Sequence, residues 1–222
     1  MKTFTIGKKK IVLKEEWMVG FITTWIVGLL AHAYRFFNFL PIWDSIYNFT
    51  GVGSTYTLGR WFLGYAGLIT SMFDLPWVNG AFSLFYISIV VILLTEMFEI
   101  KNKGMIVLCA AIFVSFPTVV SSFAYMYTAD AYLLAFLLAT LAVYLTWCVK
   151  KWGTIAGMVC LAFAMGIYQA YATVAIVLVL LYIIRQFVIE KLDFLEAVRK
   201  DLKYLGMLVG GAVLYAVILK IT

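Results

Sequence analysis

The sequence predicts an all-α, polytopic membrane bundle of about seven spans. Three observations carry that expectation. Of 222 residues, 65% are hydrophobic and only 13% charged, with a mean hydropathy of +1.01. Apolar runs of spanning length recur along the chain, and the basic residues fall in short clusters between them. Soluble domains lie nearer half apolar and a quarter charged, which excludes an ordinary globular core. With only 3 prolines and no low-complexity run, disorder is excluded too. The clusters form no continuous basic patch, so no nucleic-acid partner is expected. Cys109, Cys148 and Cys160 all sit in apolar stretches without metal spacing and read as small buried hydrophobes.

The first apolar run, Trp17 to Leu30, follows Lys8-Lys9-Lys10 and precedes Ala31-His32-Ala33. This arrangement mimics a cleavable signal, but the chain beyond is again apolar, so the run counts as a first span near 17–34. Further spans fall near 77–97, 105–125, 130–149, 154–169, 172–189 and 204–221. Thr154 to Glu190 as one helix would be about 54 Å long, against a hydrocarbon core of roughly 30 Å. It must break, and Tyr168-Gln169-Ala170-Tyr171-Ala172-Thr173 is the predicted hairpin tip. Segment 185–203 mixes both signs of charge around Leu192, Phe194, Leu195 and Val198, the pattern of a cytoplasmic amphipathic surface helix. Gly153-x-x-x-Gly157 and Gly206-x-x-x-Gly210 read as small-residue faces for close helix approach.

Orientation follows from Lys and Arg. With residues 1–16 in the cytoplasm, fourteen of the 17 basic residues lie inside and only Arg35, Arg60 and Lys220 outside. The short piece Trp61–Phe73 is then an interfacial or re-entrant helix, since a further crossing would turn most basic clusters outward. Residues 35–76 form an aromatic-rich outer loop of roughly forty residues, a length usually tied to function. Its Asn48-Phe49-Thr50 matches a glycosylation sequon, a short and weakly specific pattern.

The sparse outer charges are the informative ones, because ionisable groups at membrane depth are costly. Asp44, in Pro41-Ile42-Trp43-Asp44-Ser45, is either a general base for an acceptor hydroxyl or the cap of a short loop helix. Asp130, opening the fourth span, is either an acid favoured by the helix dipole or one that holds a divalent metal ion or orients a phosphate. Arg60, in Gly59-Arg60-Trp61, can bind phosphate through its fork of donors or snorkel to lipid headgroups. Arg35 reads mainly as a snorkelling residue, His32 as a helix-end polar group and Asp74, before Leu75-Pro76, as a turn residue. Tyr168 and Gln169 can line a cavity or simply accompany the helix break. Glu96 and Glu99 are expected to pair with Lys101 and Lys103.

The long outer loop with its early acid Asp44, then Gly59-Arg60-Trp61, then Ser115-Phe116-Pro117 and Tyr127-Thr128-Ala129-Asp130-Ala131-Tyr132, resembles the bacterial type II Gtr glucosyltransferases over about residues 20–185. These are O-antigen-modifying membrane enzymes of the GT-C class. The resemblance implies a GT-C-like fold in the bacterial inner membrane. It also implies transfer of glucose from a polyprenyl-phosphate carrier to a surface glycan on the outer face. Asp44 and Asp130 would be catalytic; Arg60, Arg35, Tyr168 and Gln169 would bind phosphate and substrate; Asp130 would ligate a divalent cation such as Mg or Mn. Membrane lipid, the lipid-linked sugar and the glycan are the implied partners. Two departures stand out: family members often carry two adjacent acids where Asp44 is followed by Ser45, and they have more spans, as if this chain were a shortened member. The competing reading is a non-catalytic membrane protein, a lipid-linked-sugar flippase or partner subunit. A proton- or ion-coupled transporter ranks last, since spans two to seven carry almost no midplane charge.

Overall fold

A computed structural model describes residues 2–6, 9–47, 58–70 and 73–222. The sequon Asn48-Phe49-Thr50 lies outside the described residues. A short antiparallel hairpin, β1 (Lys2–Ile6) and β2 (Lys9–Leu13), precedes the helical body, where the sequence is read simply as a cytoplasmic lead-in. The helices that follow are α1 (Glu15–Phe37), α2 (Trp43–Tyr47), α3 (Leu63–Ala66), α4 (Pro76–Met97), α5 (Lys103–Ser115), α6 (Pro117–Ser122), α7 (Met126–Cys148), α8 (Gly153–Ile167), α9 (Ala172–Arg185) and α10 (Phe194–Ile221).

Among the described residues five helical stretches are long and apolar enough to cross a membrane: Glu15–Phe37, Pro76–Met97, Lys103–Cys148, Gln169–Glu190 and Leu195–Ile221. Gly153–Ile167 is apolar but shorter. The 46-residue stretch Lys103–Cys148 is not a straight rod. Pro117 begins a new helix because it cannot donate to the preceding turn, and residues Phe123–Tyr125 form a tight 3₁₀ turn before α7. The Phe113 and Phe136 rings then meet at 5.4 Å, whereas 23 residues of straight helix would hold them about 34 Å apart. The chain therefore doubles back between α5 and α7.

Helix α7 is the hub. It packs on α4 and α8 along most of its length and touches α9 and α10. Ala129, Ala131, Ala135, Ala139 and Ala142 are fully buried, and such small side chains let neighbouring backbones approach in lipid, where association relies on packing. Gly157 completes one such approach: a Cβ there would lie 2.7 Å from the Ala142 carbonyl oxygen. On α10 the close face is Gly210 and Gly211, against Met158 and Leu161, while Gly206 faces open space. The expected Gly206-x-x-x-Gly210 face is thus offset by one position.

The two ends of the bundle differ in chemistry. At one end, Lys14 and the Trp17 indole bind Glu96 at 2.7 and 2.6 Å, Lys103 pairs with Glu15 at 2.5 Å, Arg185 reaches Glu99 and Glu190, and Lys200 reaches Glu190. Glu96 and Glu99 therefore bind basic residues from other helices, not the neighbouring Lys101 and Lys103. The expected surface helix over 185–203 also has a different form. Residues Gln186–Glu190 make a widened π turn, and from Phe194 the chain is already inside α10, one unbroken 28-residue helix. Buried Gln186 donates to Asp201 at 3.0 Å, tying that turn to α10. The opposite end gathers the last turns of α1, α8 and α10, the first turns of α4, α7 and α9, and the described parts of the outer loop.

Candidate functional site

The end of the bundle remote from the ion pairs holds every outer charge singled out in the sequence, Lys220 in the last turn of α10 included. Gly59 takes φ +76°, a left-handed conformation that a side chain disfavours. It turns the chain so that the half-buried Arg60 lies over the Tyr168 ring, guanidinium carbon 4.4 Å from the centroid. Tyr168 stacks in turn on Tyr132 at 5.6 Å. The Arg60 Nε is buried without a hydrogen-bond partner, and among the described residues no carboxylate lies within ion-pair distance of Arg60. Such a cation is held by aromatic faces and left short of an anion.

Trp61 fixes this turn from beneath. It is buried, its ring packs on Phe163 at 5.3 Å, and a Cβ on Gly166 would lie 2.6 Å from it. The next amide, Phe62 N–H, donates to the Gly166 carbonyl at 2.8 Å. The piece expected to be an interfacial or re-entrant helix contains a single helical turn, α3, whose Leu63 and Ala66 are sunk among α7 and α8 residues, while Tyr65, Leu68, Ile69 and Phe73 are exposed.

Asp44 lies in α2, exposed, between the exposed Trp43 and the buried Ser45. Its charge and that of Arg60 both act on the Tyr127 phenol at the start of α7. Asp44, Arg60 and Tyr127 thus share one electrostatic neighbourhood, although 16 positions separate the first two. Asp130 sits one turn further along α7. It is 3% exposed and its two oxygens accept hydrogen bonds from Thr70 Oγ1 at 3.0 Å and Asn79 Nδ2 at 3.2 Å. The Asn79 oxygen meanwhile accepts from Leu75 N–H at 3.0 Å. Asp130 therefore joins the outer loop, α4 and α7.

Arg35 and Gln169, for which the family resemblance implies substrate binding, bind protein groups. Arg35 donates to the carbonyls of Phe123 at 2.8 Å, Ala124 at 3.0 Å and Leu40, so it staples α1 to the α6–α7 turn. Gln169 donates to the Leu58 carbonyl at 2.7 Å and to the Tyr215 hydroxyl at 2.9 Å. His32 is buried, with Nε2 2.9 Å from the Val114 carbonyl and its ring 4.5 Å from that of Phe123. Beside Arg35, a groove of ≈ 520 Å³ runs between His32, Leu40, Ile42 and Phe123.

Asp74, before Leu75-Pro76, reads in the sequence mainly as a turn residue. Its carboxylate oxygens are buried and complete no hydrogen bond of good geometry among the described residues; the Ser45 hydroxyl and the Arg35 guanidinium are its polar neighbours. Burial raises the Asp74 carboxyl above the ordinary carboxylate range, against the opposing pull of Arg35 and Ser45. Tyr127, Tyr132 and Tyr215 were not singled out either, since tyrosine near a membrane interface is the commonest of signals. Among the described residues no group of three His, Cys, Asp or Glu gathers that could hold a metal ion.

Fold and site together define a multi-span helical membrane protein with an exposed acid and, among the described residues, an arginine without a carboxylate in ion-pair range at one end of the bundle. A family model described as glucosyl transferase GtrII matches residues 33–222, and the chain belongs to that glucosyltransferase family. No curated protein and no solved structure matches it.

Proposed function

We propose that the chain transfers glucose from a polyprenyl-phosphate carrier to a surface glycan at the outer leaflet of a bacterial inner membrane. In this reading it has seven GT-C-like crossings and a cytoplasmic amino terminus. The carrying observation is Arg60: a half-buried cation seated on Tyr168, with no carboxylate in ion-pair range among the described residues, on the same phenol that Asp44 addresses. A buried charge is costly without a counter-charge, and a phosphate brought in by the substrate supplies one. Alternation of the Lys and Arg clusters supports the orientation, and the ion pairs among the described residues gather at the end assigned to the cytoplasm.

In the transfer, an acceptor hydroxyl oxygen forms a bond to the anomeric carbon while the bond from that carbon to the phosphate oxygen breaks. The leaving electron pair goes with the polyprenyl phosphate, and the hydroxyl proton passes to the Asp44 carboxylate. Arg60 offsets the charge gathering on the phosphate, an interaction that strengthens in a water-poor setting. Asp130 is assigned to the frame. Both of its oxygens are taken by the Thr70 hydroxyl and the Asn79 amide, and the Asn79 oxygen by Leu75 N–H. A single carboxylate so occupied does not fit a divalent cation, which takes several oxygen ligands, and no step passes through one.

The test uses membranes containing the full chain, supplied with polyprenyl-phosphoglucose and acceptor glycan. Asp44→Asn is expected to lower transfer at least a hundredfold, the usual weight of a positioned base, with unchanged protein in the membrane. Undiminished transfer by that variant overturns the assignment of the base. A chain that moves the lipid-linked sugar across the bilayer and transfers none would be the flippase.

A further inference from the structure

The seat of Arg60 is set by residues far away in the chain. Gln169 follows Tyr168 directly, at the connection between α8 and α9. Tyr168 holds the Arg60 guanidinium on its ring, while the Gln169 amide donates to the Leu58 carbonyl at 2.7 Å and to the Tyr215 hydroxyl at 2.9 Å. Tyr215, near the end of α10, donates its own proton to the Gly59 carbonyl at 3.0 Å. Both carbonyls immediately before Arg60 are thus bound by side chains. The fit leaves no slack: a Cβ on Gly59 would stand 2.5 Å from the Tyr215 hydroxyl and 2.6 Å from the Gln169 nitrogen.

We infer that Gln169 and Tyr215 are positioning residues that clamp the Leu58-Gly59 backbone and so aim Arg60 at the donor phosphate. The inference rests on the reading of Arg60 as the phosphate-binding cation. A merely structural alternative is that the same bonds only hold α10 against α8. The two differ in what they couple to. A clamp acts through Arg60 and through nothing else, whereas a helix tie acts on the whole fold.

The informative variant is Tyr215→Phe, which keeps the ring and removes the hydroxyl with its two hydrogen bonds. At roughly fivefold or less per bond, transfer at limiting polyprenyl-phosphoglucose is expected to fall about tenfold, with the acceptor KM unchanged. In an Arg60→Lys background, which lacks the planar fork, the same change is expected to cost less than twofold. An equal loss in both backgrounds, or a matching loss of folded protein, overturns the clamp. Trypsin supplies a readout independent of transfer. In the detergent-solubilised full chain, cleavage after Arg60 is expected to quicken severalfold in Tyr215→Phe while cleavage at Lys150 and Lys151 stays the same; unchanged cleavage after Arg60 overturns the clamp. Full transfer by Arg60→Lys with quickened cleavage would mean that the clamp stands and the phosphate reading falls.

Discussion

Asp130 separates a framework carboxylate from a catalytic one. In Asp130→Ala the Thr70 hydroxyl and the Asn79 amide, 1% and 0% exposed, lose their shared acceptor. If each bond is worth the ~0.6 kcal/mol averaged by interhelical bonds in membranes, the loss is about 1 kcal/mol. If both donors stay buried and unpaired, it approaches about 4 kcal/mol. Releasing a buried carboxylate offsets part of this, so about 2 kcal/mol is the working figure. For a chain of this size that corresponds to a melting point lower by roughly 4–8 °C, read by thermal unfolding in detergent. Asp130→Asn keeps an acceptor oxygen in nearly the same place, satisfies one donor and should lose less than half as much. Its transfer in membranes should stay within about threefold of wild type, well short of the hundredfold weight of a lost base. An Asp130→Asn protein that is fully folded yet inert would refute this reasoning and make Asp130 part of the chemistry.

Three further outcomes follow from the same geometry. Because Asp74 has a raised carboxyl pKa, the folded state binds that proton more tightly than the unfolded chain, and stability falls as pH climbs from the ordinary carboxylate range through the raised value. Asp74→Asn should therefore raise the melting point near neutral pH and gain nothing at low pH; a gain of equal size at both would contradict the burial argument. Gly166→Ala places a methyl 2.6 Å from Trp61, and overpacking of this kind costs about 1–3 kcal/mol; reduced thermal stability together with altered tryptophan emission checks it. Glu96→Gln leaves Lys14 without its carboxylate at the end opposite the site, so transfer should not change, and a loss of more than a few-fold would show that the two ends are coupled.

Most helical segments were legible because composition and charge spacing act locally. The outer loop expected over 35–76 is bounded by the end of α1 at Phe37 and the start of α4 at Pro76. That Thr154–Glu190 must break follows from length, and the polar cluster Tyr168–Thr173 marks where. What local pattern could not give is the set of partners. Thr70 and Asn79 lie 60 and 51 positions from Asp130, and no periodicity marks a hydroxyl and an amide as its donors. Arg35 has the sequence context of a lipid-facing arginine, yet three carbonyls at a turn almost ninety positions away and beside its own helix end take its donors. Asp74 before Leu75-Pro76 has every mark of a turn, and only tertiary burial makes it an unsatisfied carboxylate. The charges of segment 185–203 alternate as on a surface helix, yet the same residues form a π turn and begin the 28-residue α10.

The bond from Tyr215 to the Gly59 carbonyl closes a loop of 156 positions, which ties assembly to the order of synthesis. The first exposed loop leaves the ribosome long before the helix that will lock it. Until that helix has entered the bilayer and packed on its neighbour, the arginine has its aromatic bed and no fixed aim. The Arg60 corner is therefore completed only after α10 has been made, and a nascent chain caught midway has its early helices in place but the Gly59 carbonyl still without its tyrosine.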